Sequence, residues 1–482
     1  MDYKITGYEP EKLFHFFEEI SAIPRGSGNE KGISDYLVKF AKDRGLEVIQ
    51  DDAYNVVIKK AGSRGAEDHA PVMLQGHMDM VCEKRAGVEH DFEKDGLDLI
   101  IRDGRLTANG TTLGGDNGVA VALMLMVLDD DEIEHPPVEC VFTTEEEVGL
   151  NGAKALDKSV LKARTMINMD SEDEGVATVS CAGGLRVQFT KEIQRTTVQG
   201  SLLTLKVEGL LGGHSGQDID KERQNADLLM ARMIQRLLKE TKGQLVSFNG
   251  GTKDNAIPRE CEASLIYESD EEAAKAEELA CELAETYAEE LTPAEPDFSC
   301  EISCETNRTA EAIPQDAAKE FICAMRLAPN GIQKRNIKMD GFVVVSLNLG
   351  VVRTEEDRIV MIFSPRSSVA SLQEDTKERL NTLAETFGFT VSHSSEYPGW
   401  SFKEDSPVRE ICKESYKELF GEDLKIEAIH AGLECGLFSD AIKGLDAIAI
   451  GPTIANCHTP DEYLTLDSFN AHQHFQVQGD NK

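Results

Sequence analysis

Apolar positions recur at helical spacing over Glu11 to Ile20 and again over Lys31 to Lys42, so two amphipathic helices are expected near the start of the chain. Leu46 to Ile49 and Asn55 to Ile58 read as strands. Three short apolar runs follow, each ending in polar residues. Val72 to Leu74 leads into Gly76-His77-Met78-Asp79, Val138 to Phe142 into Thr143-Thr144-Glu145-Glu146-Glu147, and Met166 to Met169 into Asp170. Val119 to Leu128 is almost wholly apolar, the mark of a helix in a buried layer. The pattern up to residue 185 predicts α/β structure.

From about residue 186 the texture changes. Strands over Leu202 to Val207, Val343 to Leu349 and Ile359 to Phe363 alternate with helices near 221–239, 271–290, 315–327 and 371–387. After about 395 the α/β texture returns, with an apolar strand over Leu445 to Ile450 followed by Gly451-Pro452 and then His458. The expectation is a catalytic domain built from 1–185 and 396–482, with an α+β domain inserted over 186–395. In an open α/β sheet, ligands gather at the carboxyl ends of the strands. The polar clusters sit at such ends, which would bring distant residues to one rim.

Composition narrows the function. The chain has 482 residues, 40% hydrophobic and 28% charged, as in soluble globular proteins. Its 50 Lys and Arg against 87 Asp and Glu leave a net charge of −37. Such a surface repels phosphate backbones and anionic lipid, which argues against nucleic acid and membrane partners. The polar start, Met1-Asp2-Tyr3-Lys4, lacks a signal-peptide core, and no run approaches the roughly 18 apolar residues of a membrane span. The 11 cysteines are scattered and odd in number, so reduced thiols and a cytoplasmic location are expected.

The strand-end residues are the donor types that a pair of divalent cations needs: His77, Asp116, Glu147, Asp170 and His458. Asp79, two residues beyond His77, can reach the imidazole nitrogen that is not on metal. Taken alone, His77 and Asp79 read first as a satisfied strand-end histidine, and Asp116 in Gly114-Gly115-Asp116-Asn117-Gly118 first as a helix cap. Three adjacent carboxylates after an apolar strand are costly to crowd unless cations neutralise them. That argues for function at Glu146 and Glu147, one as ligand and its neighbour as general base. Cys457 is a rival ligand or simply a buried thiol.

Together GHMDM, TLGGDNG, TTEEEVGL, NMDSE and CHTPDE resemble the co-catalytic dizinc metallopeptidases that include aminoacylases and carboxypeptidases, in particular the aminoacyl-histidine (Xaa-His, carnosinase-like) dipeptidases. The resemblance covers nearly the whole chain. It implies a zinc-peptidase-like catalytic domain, a mixed sheet flanked by helices, with an inserted lid or dimerisation domain. It implies two divalent ions, zinc or else manganese or cobalt. One would be held by His77, Asp116 and Asp170, the other by Asp116, Glu147 and His458, with Asp116 bridging. Glu146 would be the general base and Asp79 the clamp on His77. His214, in Gly212-Gly213-His214-Ser215-Gly216, would reach the partner subunit's site and steady the oxyanion. Asn255 and Arg366 would hold substrate carbonyl and carboxylate, and Glu434 the free ammonium. The implied reaction is hydrolysis of dipeptides such as β-alanyl-histidine in a homodimer joined through the inserted domain. The alternatives are an N-acyl amino acid deacylase or carboxypeptidase, and a catalytically silent peptide-binding dimer. His430 and Glu145 are left without a role.

Overall fold

The computed structural model describes residues 3–132, 134–337 and 341–471. The chain divides into two compact units. The first comprises Met1–Cys181, Trp400–Ile429 and Leu433–Lys482; the second comprises Ala182–Gly399 and His430–Gly432. These limits lie a few residues from the expected 185 and 396. Reciprocal backbone hydrogen bonds between Cys181 and Trp400, at 3.0 and 2.9 Å, join the points where the chain leaves the first unit and re-enters it.

An eight-stranded mixed sheet forms the first unit's centre. Its spatial order is Glu47–Gln50, Val56–Lys60, Val138–Thr143, Val72–His77, Thr165–Asn168, Asp446–Ala449, Val176–Cys181 and Lys425–Ile429. The four strands in the middle of that order, from Val138–Thr143 to Asp446–Ala449, run parallel. His77 is level with Thr143, and Gln75 with Asn168, so their carboxyl ends form one rim. These strands are short and buried on both faces, which is why their sequences are near-continuous apolar runs.

The helix Gly115–Asp129 packs on the Val72–His77 strand and on the helix Glu11–Ser21. Every residue from Val119 to Leu128 is buried, as expected of a helix without a polar face. Gly76 permits this close approach: a Cβ there would stand 2.4 Å from the Ala120 Cβ. On the other side of the helix layer, Phe14 and Phe17 meet Phe469 edge-on. The opposite sheet face is covered by a cluster including Val57, Val141, Met166, Trp400 and Phe438.

The second unit is built on a nine-stranded antiparallel sheet. Four helices, Ala226–Glu240, Asp270–Leu291, Gln315–Leu327 and Ala370–Thr386, share one hydrophobic core with it. The Asp270–Leu291 helix buries only Ala273, Ala276, Ala280 and Tyr287, so its Glu-rich remainder is a solvated face. Among the described residues, no helix is long and apolar enough to cross a membrane.

Candidate metal centre

The rim of the parallel strands gathers His77, Asp116, Glu146, Glu147, Asp170 and His458. His77 is the last residue of its strand and is fully enclosed. Its Nδ1 lies 3.2 Å from the Asp79 carbonyl and 3.3 Å from Asp79 Oδ1. Its Nε2 faces Asp116 Oδ1 at 3.0 Å and Asp170 Oδ1 at 3.6 Å. The other oxygen of Asp116, Oδ2, lies 3.2 Å from His458 Nε2, and His458 Nε2 is 3.1 Å from Glu147 Oε1. Asp116 therefore divides its two oxygens between two imidazoles, and each imidazole has one further carboxylate.

Local structure explains these positions. Asp116 does not cap the helix: the backbone is non-helical at Asp116 (φ −80°, ψ 108°) and at Asn117, and it is Asn117 Oδ1 that accepts from Ala120 N–H, at 3.3 Å, where the regular helix begins. The capping role that the sequence left open is absent, and the side chain points to the histidines. Asp170 stands just beyond its strand and accepts from Asn117 Nδ2 at 2.9 Å. His458 sits in the loop between the short paired strands Ile454–Ala455 and Tyr463–Thr465. Asp79 accepts from the backbone N–H groups of Glu146 (3.1 Å) and Glu147 (3.3 Å) and from Ser27 Oγ (2.8 Å). It thus aligns the acidic turn as well as His77. Glu145 points elsewhere; its carboxylate accepts from Asn151 Nδ2 at 3.0 Å.

Electrostatics match this crowding. Burial, with Asp170, Glu434 and Glu147 nearby, holds the Glu146 carboxyl well above the usual carboxylate range, although His77 opposes it. Burial likewise raises Glu147 and Asp170. Hydrogen bonds to Asp116 and Glu147 push His458 up to about 11. Burial disfavours a charged His77, but Asp170, Asp116 and Asp79 outweigh it and raise the imidazole well above its ordinary value. Asp116 moves the other way: burial opposes ionisation, but His458 and His77 pull its carboxyl far below the usual range. Such a set takes up positive charge, as protons or as cations.

The donor chemistry fits divalent ions. His77, Asp116 and Asp170 each offer one ligand atom within 4.8 Å of the others, and so do Asp116, Glu147 and His458. Two further groups meet the same limit: His77, Glu146 and Glu147, and Asp116, Glu172 and Cys457. Burial, Asp116 and Asp170 push the Glu172 carboxyl up to about 7, and Cys457 hydrogen-bonds to it.

Glu434 is fully buried in the same unit. Its Oε2 accepts from Thr143 Oγ1 at 2.7 Å and from Gln75 Nε2, whereas its Oε1 has no hydrogen-bond partner among the described residues. Burial above all pushes its carboxyl up to about 7.

His214, Asn255 and Arg366 lie in the second unit. Gly213–His214 pairs with Ala256–Ile257, and Ser215 N–H donates to the Asn255 carbonyl at 2.9 Å, so two distant turns become neighbours. His214 Nδ1 accepts from the N–H groups of Gly216 (3.3 Å) and Gln217 (3.0 Å). In the neutral ring this leaves the proton on Nε2, the form that donates. Burial and Arg366 lower its pKa and keep it neutral. Arg366 is 7% exposed; Nη1 donates to Tyr397 Oη at 3.0 Å, and Nε is buried without a partner among the described residues. His430 is the fourth member: its Nε2 meets Ser346 Oγ at 2.7 Å, and burial with Arg366 lowers it to about 3.

Sequence pattern alone does not single out Arg25 and Glu462. Both are buried beside the Gly114–Asp116 turn, Arg25 donating to the Gly114 carbonyl and Glu462 accepting from Gly115 N–H. The available signals were a Pro-Arg-Gly-Ser-Gly turn between helices and an acid four residues after His458.

The profile of peptidase family M20/M25/M40 matches residues 73–477. The chain is 35% identical over 471 residues, 96% of each chain, to a protein of Escherichia coli named cytosol non-specific dipeptidase. The structure of an aminoacylhistidine dipeptidase from Vibrio alginolyticus superposes with a TM-score of 0.92 at 35% identity, covering 98% of this chain and 97% of that one. An aminopeptidase, PepT of Bacillus cereus, shares the fold at 17% identity with a TM-score of 0.57, covering 98% of this chain and all of that one. This chain belongs to peptidase family M20/M25/M40 and is a hydrolase of that family.

Proposed function

We propose that the protein is a metal-dependent dipeptidase that cleaves unblocked dipeptides, Xaa-His dipeptides such as β-alanyl-histidine among them, with Glu146 as general base. The observation that carries this reading is the division of the Asp116 carboxylate between His77 and His458, each with its own second acid. His77, Asp116 and Asp170 would hold one ion; Asp116, Glu147 and His458 would hold the other. Zinc is the first choice, and manganese and cobalt suit the same donors. Two such ions, when bound, supply Lewis acidity at the scissile carbonyl and acidify a water.

The protein's own groups carry the rest. Glu146 takes a proton from the attacking water and delivers it to the departing nitrogen, so the C–N bond breaks to a neutral amine. Its surroundings of burial and neighbouring acids favour holding that proton. Asp79 keeps His77 oriented and the Glu146–Glu147 backbone in line. His214, neutral with its proton on Nε2, would donate to the tetrahedral oxyanion in the partner subunit's site. Arg366 presents an unpaired Nε–H for a carboxylate, and Asn255 a side-chain amide for a carbonyl. Glu434 keeps one oxygen without a partner for the substrate ammonium. A homodimer through the second unit and a cytosolic location, as the Escherichia coli relative's name has it, complete the proposal.

The test is a panel of free and N-acetylated dipeptides, run on protein stripped of metal and reloaded ion by ion. Hydrolysis of free dipeptides that returns with two ions per chain is the expected result. Preference for the N-acetylated series would replace the reading with a deacylase, and no hydrolysis at full loading with a binding protein.

A further inference from the structure

We infer that Arg25 and Glu462 are positioning residues that hold Asp116 in its bridging pose, one from each side of the turn that carries it. The inference rests on the two-ion reading above.

Arg25 follows the first helix and is 1% exposed. Its Nη1 donates to the carbonyls of Met78 (3.1 Å) and Asp79 (3.2 Å), and its Nη2 to the carbonyl of Gly114 (2.5 Å). Met78 and Asp79 directly follow His77, and Gly114 stands two residues before Asp116. One planar fork thus ties the His77 segment to the Asp116 turn, a geometry that a lysine does not reproduce. The fit is close: a Cβ on Gly114 would lie 2.5 Å from Arg25 Nη2.

Glu462 is 2% exposed and receives backbone N–H groups from Leu113 (2.8 Å), Gly114 (3.0 Å), Gly115 (2.8 Å) and Asp116 (3.3 Å). It stands four residues after His458, so it ties the His458 loop to the same turn. Neither residue serves as a ligand: Arg25 has only donors, and both Glu462 oxygens are committed to backbone N–H groups. The segments bearing His77, Asp116 and His458 come from three parts of the chain. These two side chains set their spacing, and ligand spacing decides whether a single carboxylate can serve two ions.

Glu139 supplies the control. It is also buried and also accepts backbone N–H groups, from Lys162 (2.8 Å) and Ala163 (2.9 Å), but on the amino-terminal half of its strand, away from the rim. Full-length Glu462→Gln, Arg25→Lys and Glu139→Gln are stripped of metal and titrated with Co2+, following visible absorption and bound metal per chain, with Tm measured on the metal-free forms. All three are expected to lose Tm. Only Glu462→Gln and Arg25→Lys are expected to bind Co2+ about 10- to 100-fold more weakly, with a changed absorption spectrum and a lowered kcat at steady KM. If one of these two yields no folded protein, the other decides by the same readouts. Wild-type affinity and spectrum in them, or an equal loss of Co2+ in Glu139→Gln, overturns the inference. A wild-type chain that takes up fewer than two ions overturns the two-ion reading and this inference together. A wild-type chain with two ions and unaffected variants overturns this inference alone.

Discussion

Glu139 lies near the start of the strand Val138–Thr143 and Glu146 three residues past its end, and their surroundings differ in kind. Glu139 receives the N–H groups of Lys162 and Ala163 and pairs with Lys59 at 3.0 Å. Glu146 sits among Asp170, Glu434 and Glu147, and burial with these acids raises its proton affinity. The residue type is the same, and one strand leads from the first to the second. Where donors converge, a carboxylate is satisfied and holds the fold together. Where acids converge, it is left needing protons or cations, and that need is what a catalytic base exploits. Parallel strands produce the asymmetry, because their connections leave loops from distant segments facing each other at the carboxyl rim.

The contrast is broken most sharply by isosteric substitution at each end. Glu146→Gln is expected to keep its metal and lose kcat by about 10²- to 10⁴-fold. Glu139→Gln is expected to keep kcat and lose about 1–3 kcal/mol of stability. Dipeptide turnover, bound metal and urea denaturation read all three quantities; equal loss of turnover would erase the distinction. His214→Ala comes next, with an expected fall in kcat of about 10²-fold at unchanged metal content. Unchanged turnover there would take the second unit's histidine out of the chemistry.

Metal removal gives a smaller effect. Free ion at about one hundred times Kd should stabilise the wild type by about 2.7 kcal/mol. Asp116→Asn should gain much less, and a full gain would show that Asp116 is no bridge. The smallest effect, taken per pH unit, concerns Asp227, a carboxylate buried in the second unit against Gly250 and Cys261. Burial pushes it up to about 8, with Cys261 and Arg353 opposing. Its folded form keeps the proton where the unfolded form has lost it. Its contribution to stability is therefore full below pH about 4 and lost as pH rises to about 8, at up to about 1.4 kcal/mol per pH unit. Asp227→Asn should flatten that slope in denaturation curves across the window; an unchanged slope would mean that Asp227 ionises in the folded protein as it does in the unfolded chain.

Local patterns reveal much of this site. His77, Glu147 and Asp170 stand where an apolar run gives way to polar residues, and a strand end can be read from such a break. Arg25 and Glu462 show the limit. Their partners are backbone groups of Met78, Asp79 and residues 113–116. A backbone N–H or carbonyl is the same in every residue, so no side-chain pattern announces it. Glu145 and Glu146 show it too: adjacent acids in one run, one turned to Asn151 and the other toward the rim.

Alternation, apolar runs and motif spacing determined the elements, the two kinds of texture and the donor types, because these depend on each residue and its near neighbours. Only the tertiary structure decided that Asp116 faces His77 with one oxygen and His458 with the other, 39 and 342 residues away. That pairing depends on strand order and on buried clamps contributed from elsewhere in the chain, and distance along a sequence carries no measure of distance in space.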